Sequence, residues 1–129
     1  MKKILATILV LTALNLTAHE GHNIAPGSYK SLHGGVVQNG VELNLEVIVT
    51  GKDILVYPIS HESKDVPAKD ITVTAMAKPK KGKAYPVTLS NINGGYGATV
   101  DLQGANRLPI EVTVKSKNKT DKFTVQVEE

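Results

Sequence analysis

The sequence predicts an all-β fold, an immunoglobulin-like sandwich of about seven strands, and three observations carry that reading. Apolar residues recur with period two in several separate stretches. Turn signals built from Gly, Asn, Pro and Lys punctuate the chain every 8–14 residues. After residue 18 no stretch has the 3.6-residue periodicity of an amphipathic helix. A small barrel is the alternative closure of the same strands. With one Phe, four Tyr and no Trp, the core has to be built from Val, Ile, Leu and Ala.

The first eighteen residues read as a secretory signal peptide. Lys2 and Lys3 form a positive start, and residues 4–16 are a mainly apolar run of 13. A helix needs about 20 residues to cross a ~30 Å hydrocarbon layer, so the run is too short to span. Leu16-Thr17-Ala18 supplies a small residue at the expected cut. Cleavage there removes two of the cations behind the formal charge of +3. The remaining chain is then almost neutral, which takes away the electrostatic basis for nucleic-acid binding. The expected location is the periplasm or the cell exterior. The chain has no Cys, so disulfides, thiolate metal sites and a Cys nucleophile are excluded.

Residues 19–32 are polar and lack periodicity, as expected of a flexible N-terminal arm. The sandwich is expected over residues 33–129. His33-Gly34-Gly35 is a turn, followed by a short strand at residues 36–38. Asn39-Gly40 is a hairpin signal. Val41, Leu43, Leu45, Val47 and Val49 alternate with Glu42, Asn44, Glu46, Ile48 and Thr50, which places the first set inward and the second on a wet face. Gly51-Lys52-Asp53 turns the chain into a strand over residues 54–59, where Pro58 argues for an edge or a bulge. Residues 61–69 form a polar loop. Strands follow at residues 71–77 and 85–89, around a basic tip at Pro79-Lys80-Lys81-Gly82-Lys83. Residues 91–95 turn again. Tyr96, Ala98, Val100 and Leu102 alternate, then Ile110, Val112 and Val114, then Phe123, Val125 and Val127. Lys115, Lys117, Lys119 and Lys122 are expected to guard exposed strand edges.

Four histidines carry the chemistry the sequence offers: His19, His22, His33 and His61. In an exported chain without Cys, imidazole is the natural ligand for Cu(II) or Zn(II). His19 and His22 are spaced to meet on one ion. Cleavage after Ala18 would also give His19 a free α-amino group, and amine plus imidazole form a chelate suited to copper. Glu20 can add an oxygen. His61 lies on a loop with Glu62 and Asp65. The spacing matches neither a zinc finger nor His-Glu-x-x-His. Met76 is expected to pack, although a thioether can also bind Cu(I). No nucleophile elbow or phosphate loop is present, so no enzyme activity is expected. The lysine tip reads as a solubilising hairpin end or a contact for an anionic lipid or acidic partner.

His33-Gly34-Gly35-Val36, then Gly40, Val41-Glu42-Leu43 and Leu55-Val56-Tyr57, resembles a known pattern. It is similar to a small periplasmic domain found alone or at the N-terminus of adaptor subunits of heavy-metal efflux pumps of the resistance-nodulation-division class. The resemblance covers residues 33–57. It implies an extracytoplasmic sandwich linked to copper or zinc handling, with His33 as the turn histidine and an efflux or envelope protein as partner. After Tyr57 the family shows an Asp-rich loop with Gly-Lys-Pro, whereas this chain reads Pro58-Ile59-Ser60-His61-Glu62-Ser63-Lys64-Asp65. The helical hairpin and lipoyl-like regions of a full adaptor have no counterpart in the sequence. A transition-metal-binding module is therefore the expected function. The alternative is a metal-free sandwich that binds a protein through a sheet edge or loop.

Overall fold

The computed structural model describes residues 30–129. Among these residues nine antiparallel strands form two sheets. They are β1 (Val36–Gln38), β2 (Asn44–Thr50), β3 (Asp53–Ile59), β4 (Thr72–Ala77), β5 (Tyr85–Val87), β6 (Ser90–Ile92), β7 (Gly95–Thr99), β8 (Arg107–Ser116) and β9 (Lys119–Glu128). One sheet has the order β1-β2-β3-β7-β6 and the other β5-β4-β8-β9. Among the described residues no strand pairs across the two, so the sheets face each other as a sandwich and do not close into a barrel.

The core lies between the sheets. Leu45, Val47, Ile54 and Val56 face Ala75, Ala77, Ile110, Val112, Phe123 and Val125. The period-two pattern is cleanest in β8 and β9. Leu108, Ile110, Val112 and Val114 alternate with wetter neighbours, as do Phe123, Val125 and Val127. Small Ala75 and Ala77 in β4 lie in the same interior. Short turns fix the register: Thr50 pairs with Asp53, and Ser116 with Lys119. Ile92 pairs with Gly95 around Asn93-Gly94, both at positive φ as a tight hairpin requires.

Several expectations need correction. Among the described residues the strands number nine, because residues 85–92 divide into β5 and β6, which belong to different sheets. The chain crosses the sandwich between them. Val100 and Leu102 are buried in the crossing to β8, beyond the end of β7. Pro58 sits in β3, which is an interior strand, but the pairing with β7 stops at Val56. Its carbonyl accepts instead from the Val66 amide at 3.3 Å, so no ladder donor is missing on that side. Of the four expected edge lysines, only Lys119 and Lys122 lie on the edge strand β9, since β8 is paired on both sides.

The link from β1 to β2 differs most. Asn39-Gly40 is not a two-residue hairpin, and the strand begins at Asn44, not at Val41. Val41 is 80% exposed, and Val49 is exposed as well. The cause is Asp121 on β9. Its buried carboxylate accepts from the backbone N–H groups of Val41, Glu42 and Leu43 at 2.8, 2.9 and 2.9 Å. The Asn44 side-chain oxygen accepts from the Gly40 N–H at 3.2 Å. The loop is thus drawn onto the other sheet, and its donors are satisfied there instead of in a ladder.

Asp121→Ala would leave three N–H groups without their acceptor. We expect it to cost about 2–4 kcal/mol, read as a lower urea midpoint with an unchanged m-value. Val41→Ala should be close to neutral in the same experiment, and equal effects would refute this account of the loop.

Candidate functional site

The outer face of the five-stranded sheet is covered at one end and open at the other. Strand alternation puts Asn44, Glu46, Ile48, Tyr57, Leu55 and Gly97 on this face, opposite to the core. At the covered end Asn44, Glu46, Tyr57 and Ile59 are buried by the segment before β1 and by the loop after β3. This is where the sequence-predicted His33 lies.

Glu46 organises that end. It is fully buried, at 0% exposure, although alternation places it on the outward face. Its carboxylate accepts from the Leu32 N–H at 2.8 Å, the His33 N–H at 2.8 Å and the Gly35 N–H at 2.7 Å. Closely spaced backbone donors wrapped around one carboxylate make an anion nest, which is how a charged group is tolerated without water. Two glycines permit the wrap. Gly34 has φ +84°, and a Cβ on Gly35 would lie 2.5 Å from the Val47 carbonyl oxygen.

The nest fixes the backbone of His33, and three groups then fix its ring. The imidazole stacks on the Tyr57 ring, with centroids 3.6 Å apart and planes 8° apart. Its Nε2 lies 2.8 Å from Asp65 Oδ1. Tyr57 is wedged in turn against Gly95, where a Cβ would come within 2.7 Å of the phenol ring. Asp65 is positioned by the loop after β3. The Ser60 hydroxyl accepts from the Glu62 and Lys64 amides, Ser60 N–H donates to the Lys64 carbonyl, and Asp65 bridges to Ile59. A carboxylate only accepts, so the neutral His33 ring carries its proton on Nε2 and keeps its basic lone pair on Nδ1. A cleft of about 330 Å³ opens beside the stack, bounded by His33, Tyr57, Asp65, Pro67, Asn91 and Asn93.

His61 has a different partner. Its Nε2 lies 3.2 Å from the Gly40 carbonyl oxygen, where it ties the loop after β3 to the loop before β2. His19 and His22 lie outside the described residues. Among the described residues, no three His, Asp or Glu side chains converge as a metal-binding group. Met76 is half-buried in β4 between Pro86 and Glu111 in the sheet register. The sequence groups Asp65 with His61, whereas the fold gives it to His33. Alternation likewise places Glu46 on a wet face, whereas the fold buries it. The glutamate that serves the His-Gly-Gly turn is Glu46, while Glu42 pairs with Lys119 at 3.3 Å.

No protein-family model matches the chain, and no curated protein matches it. A solved structure shares the architecture. It is a DUF4426 family protein from Pseudomonas aeruginosa PAO1, with a TM-score of 0.52 and 20% identity over 72% of this chain and 94% of that one. At that identity the likeness concerns the fold. Among the described residues no helix is long and apolar enough to cross a membrane.

The stack has a direct signature. Ring current from Tyr57 should shift the His33 ring protons upfield in the NMR spectrum, and Tyr57→Leu should return them to ordinary positions. His33 resonances that are the same in both proteins would contradict the stacked geometry.

Proposed function

We propose that the chain is an exported β-sandwich module that binds a transition-metal ion, copper or zinc, as a buffer or carrier in metal handling or efflux. His33 is its ligand on the folded domain, through Nδ1, and His19 and His22 are its ligands on the arm. The observation that carries this reading is the 2.8 Å contact between His33 Nε2 and Asp65. A carboxylate on the far nitrogen is the usual companion of a metal-bound histidine, because it fixes the tautomer and raises the basicity of the ligating nitrogen. The arm is long enough. Ten residues lie between His22 and His33, and an extended chain covers ~3.3–3.6 Å per residue. In this reading His61 tethers a loop and is not a ligand. The location that follows is the periplasm or the exterior.

The test is calorimetric titration of Cu(II) and of Zn(II) into the chain beginning at His19. Stoichiometric binding is expected. His19→Ala/His22→Ala and His33→Ala should each weaken it at least tenfold, and Asp65→Asn by about 10–100-fold, the usual effect of removing a carboxylate partner. Binding should also weaken below about pH 6, where free imidazole takes up a proton. Affinity that is unchanged in all these variants would overturn the proposal.

A second reading, a metal-free interaction module, has its own support at the open end of the same face. There Ile48, Leu55 and Ile92 flank Gly97 around a groove of about 610 Å³. Ile92 is exposed, and the flanking β6 is a sheet edge. If the groove is what matters, Leu55→Asp should abolish complementation of a deletion strain. A chain with Ala at positions 19, 22, 33 and 61 should then complement fully, whereas the metal reading expects the reverse.

A further inference from the structure

We infer that the cleft at the β4–β5 hairpin tip takes the phosphate groups of an anionic lipid surface. The cleft shares no lining residue with the His33 cleft, and the argument for it is independent of that site. Residues 80–84 are five consecutive exposed residues, so the tip projects from the sandwich. Three of the five are Lys80, Lys81 and Lys83. The other cations at this end have carboxylate partners: Lys78 lies 3.6 Å from Glu111, and Arg107 lies 3.3 Å from Glu128. Among the described residues, no ion pair involves the three tip lysines.

The tip faces a second element across a cleft of about 430 Å³, the crossing from β7 to β8. Lys80, Lys81, Lys83 and Arg107 line the cleft, and Gln103 and Gly104 form its far wall. No carboxylate lines it. Asp101 does not line it but is near enough for its charge, after burial, to raise the pKa of the lining Tyr85; its Oδ1 accepts from the Gln103 N–H at 2.9 Å and its carbonyl accepts from the Tyr85 hydroxyl at 2.6 Å. Three lysines without a carboxylate partner therefore border one open space, together with Arg107, which Glu128 already pairs. An anion at the cleft gains the attraction of these unpaired ammonium groups, which solvent and salt screen.

The chemistry favours a surface of phosphates over an acidic peptide. A peptide site is built round aromatic or apolar pockets, whereas here the lining Leu102 is already buried in the fold and Tyr85 has its hydroxyl engaged by the backbone. Lysine ammonium groups on flexible stems need no fixed geometry and suit a plane of charges. The end as a whole is not strongly basic, since Glu111, Glu128 and Glu129 share it, and the Glu129 N–H bonds the Asn106 carbonyl. The attraction is thus local to the tip and should be salt-sensitive, because screening acts over ~10 Å at 0.1 M.

The experiment is co-sedimentation of the chain beginning at His19 with phosphatidylglycerol/phosphatidylcholine vesicles and with phosphatidylcholine vesicles alone. Binding should require phosphatidylglycerol and fall with added salt. Lys80→Ser/Lys81→Ser/Lys83→Ser should lower the partition coefficient at least tenfold, with an unchanged unfolding midpoint. A charge-matched control, Lys52→Ser/Lys64→Ser/Lys122→Ser, should still bind. Three results would overturn the proposal: no binding to the anionic vesicles, an equal loss in the control, or saturation of the tip lysines by inorganic phosphate or by poly-glutamate without any preference for vesicles.

Discussion

The covered end of the sandwich depends on one carboxylate taken out of water. Glu46 sits on the outward side of β2, where a strand in an open sheet would hold it in solvent. Here three N–H groups from the segment before β1 close over it. Removing a charge from water is costly, and the cost is met only by charge-assisted hydrogen bonds of good geometry. That requirement determines the path of residues 32–35 and hence the position of His33. The stack on Tyr57, the contact with Asp65 and the cleft beside them all follow from it. Asp121 repeats the device on the other sheet, with three donors from residues 41–43. Two loops that lack ladder partners are therefore each gathered on a buried acid.

These two acids also make the sandwich more than a pair of stacked sheets. Glu46 binds the entering chain to the outer face of its own sheet. Asp121, on β9, binds the loop that feeds β2 and so joins the sheets at their edge. Gln38 adds to the same junction by donating from Nε2 to the Thr124 carbonyl at 3.0 Å. A carbonyl on the free edge of β9 is thereby occupied, which complements the protection that Lys119 and Lys122 give that edge.

The core was legible in the sequence because it follows a single rule. Leu45, Val47, Ile54, Val56, Ile110, Val112, Phe123 and Val125 are where period two puts them. The rule failed where side chains, not ladders, decide. Alternation assigns Glu46 and Val41 to the wrong environments, since it has no means of showing that backbone donors from a distant segment will surround a carboxylate. The adjacent glycines at 34 and 35 were the available signal, because two exposed N–H groups in a turn need an acceptor. The split of residues 85–92 between two sheets left no mark in hydrophobicity. For the site, His33 was found through its turn. Its pairing with Asp65, 32 residues away, was not visible without the fold.

The functional account rests on His33 being held in one orientation by a backbone that Glu46 fixes. Hydrogen exchange measures that restraint directly. The Leu32, His33 and Gly35 amides should exchange as slowly as those of β2. In Glu46→Gln they should become fast while the β8 and β9 amides keep their protection. If the three amides exchange freely in the unaltered protein, Glu46 does not hold the turn, and the placement of His33 loses its physical basis.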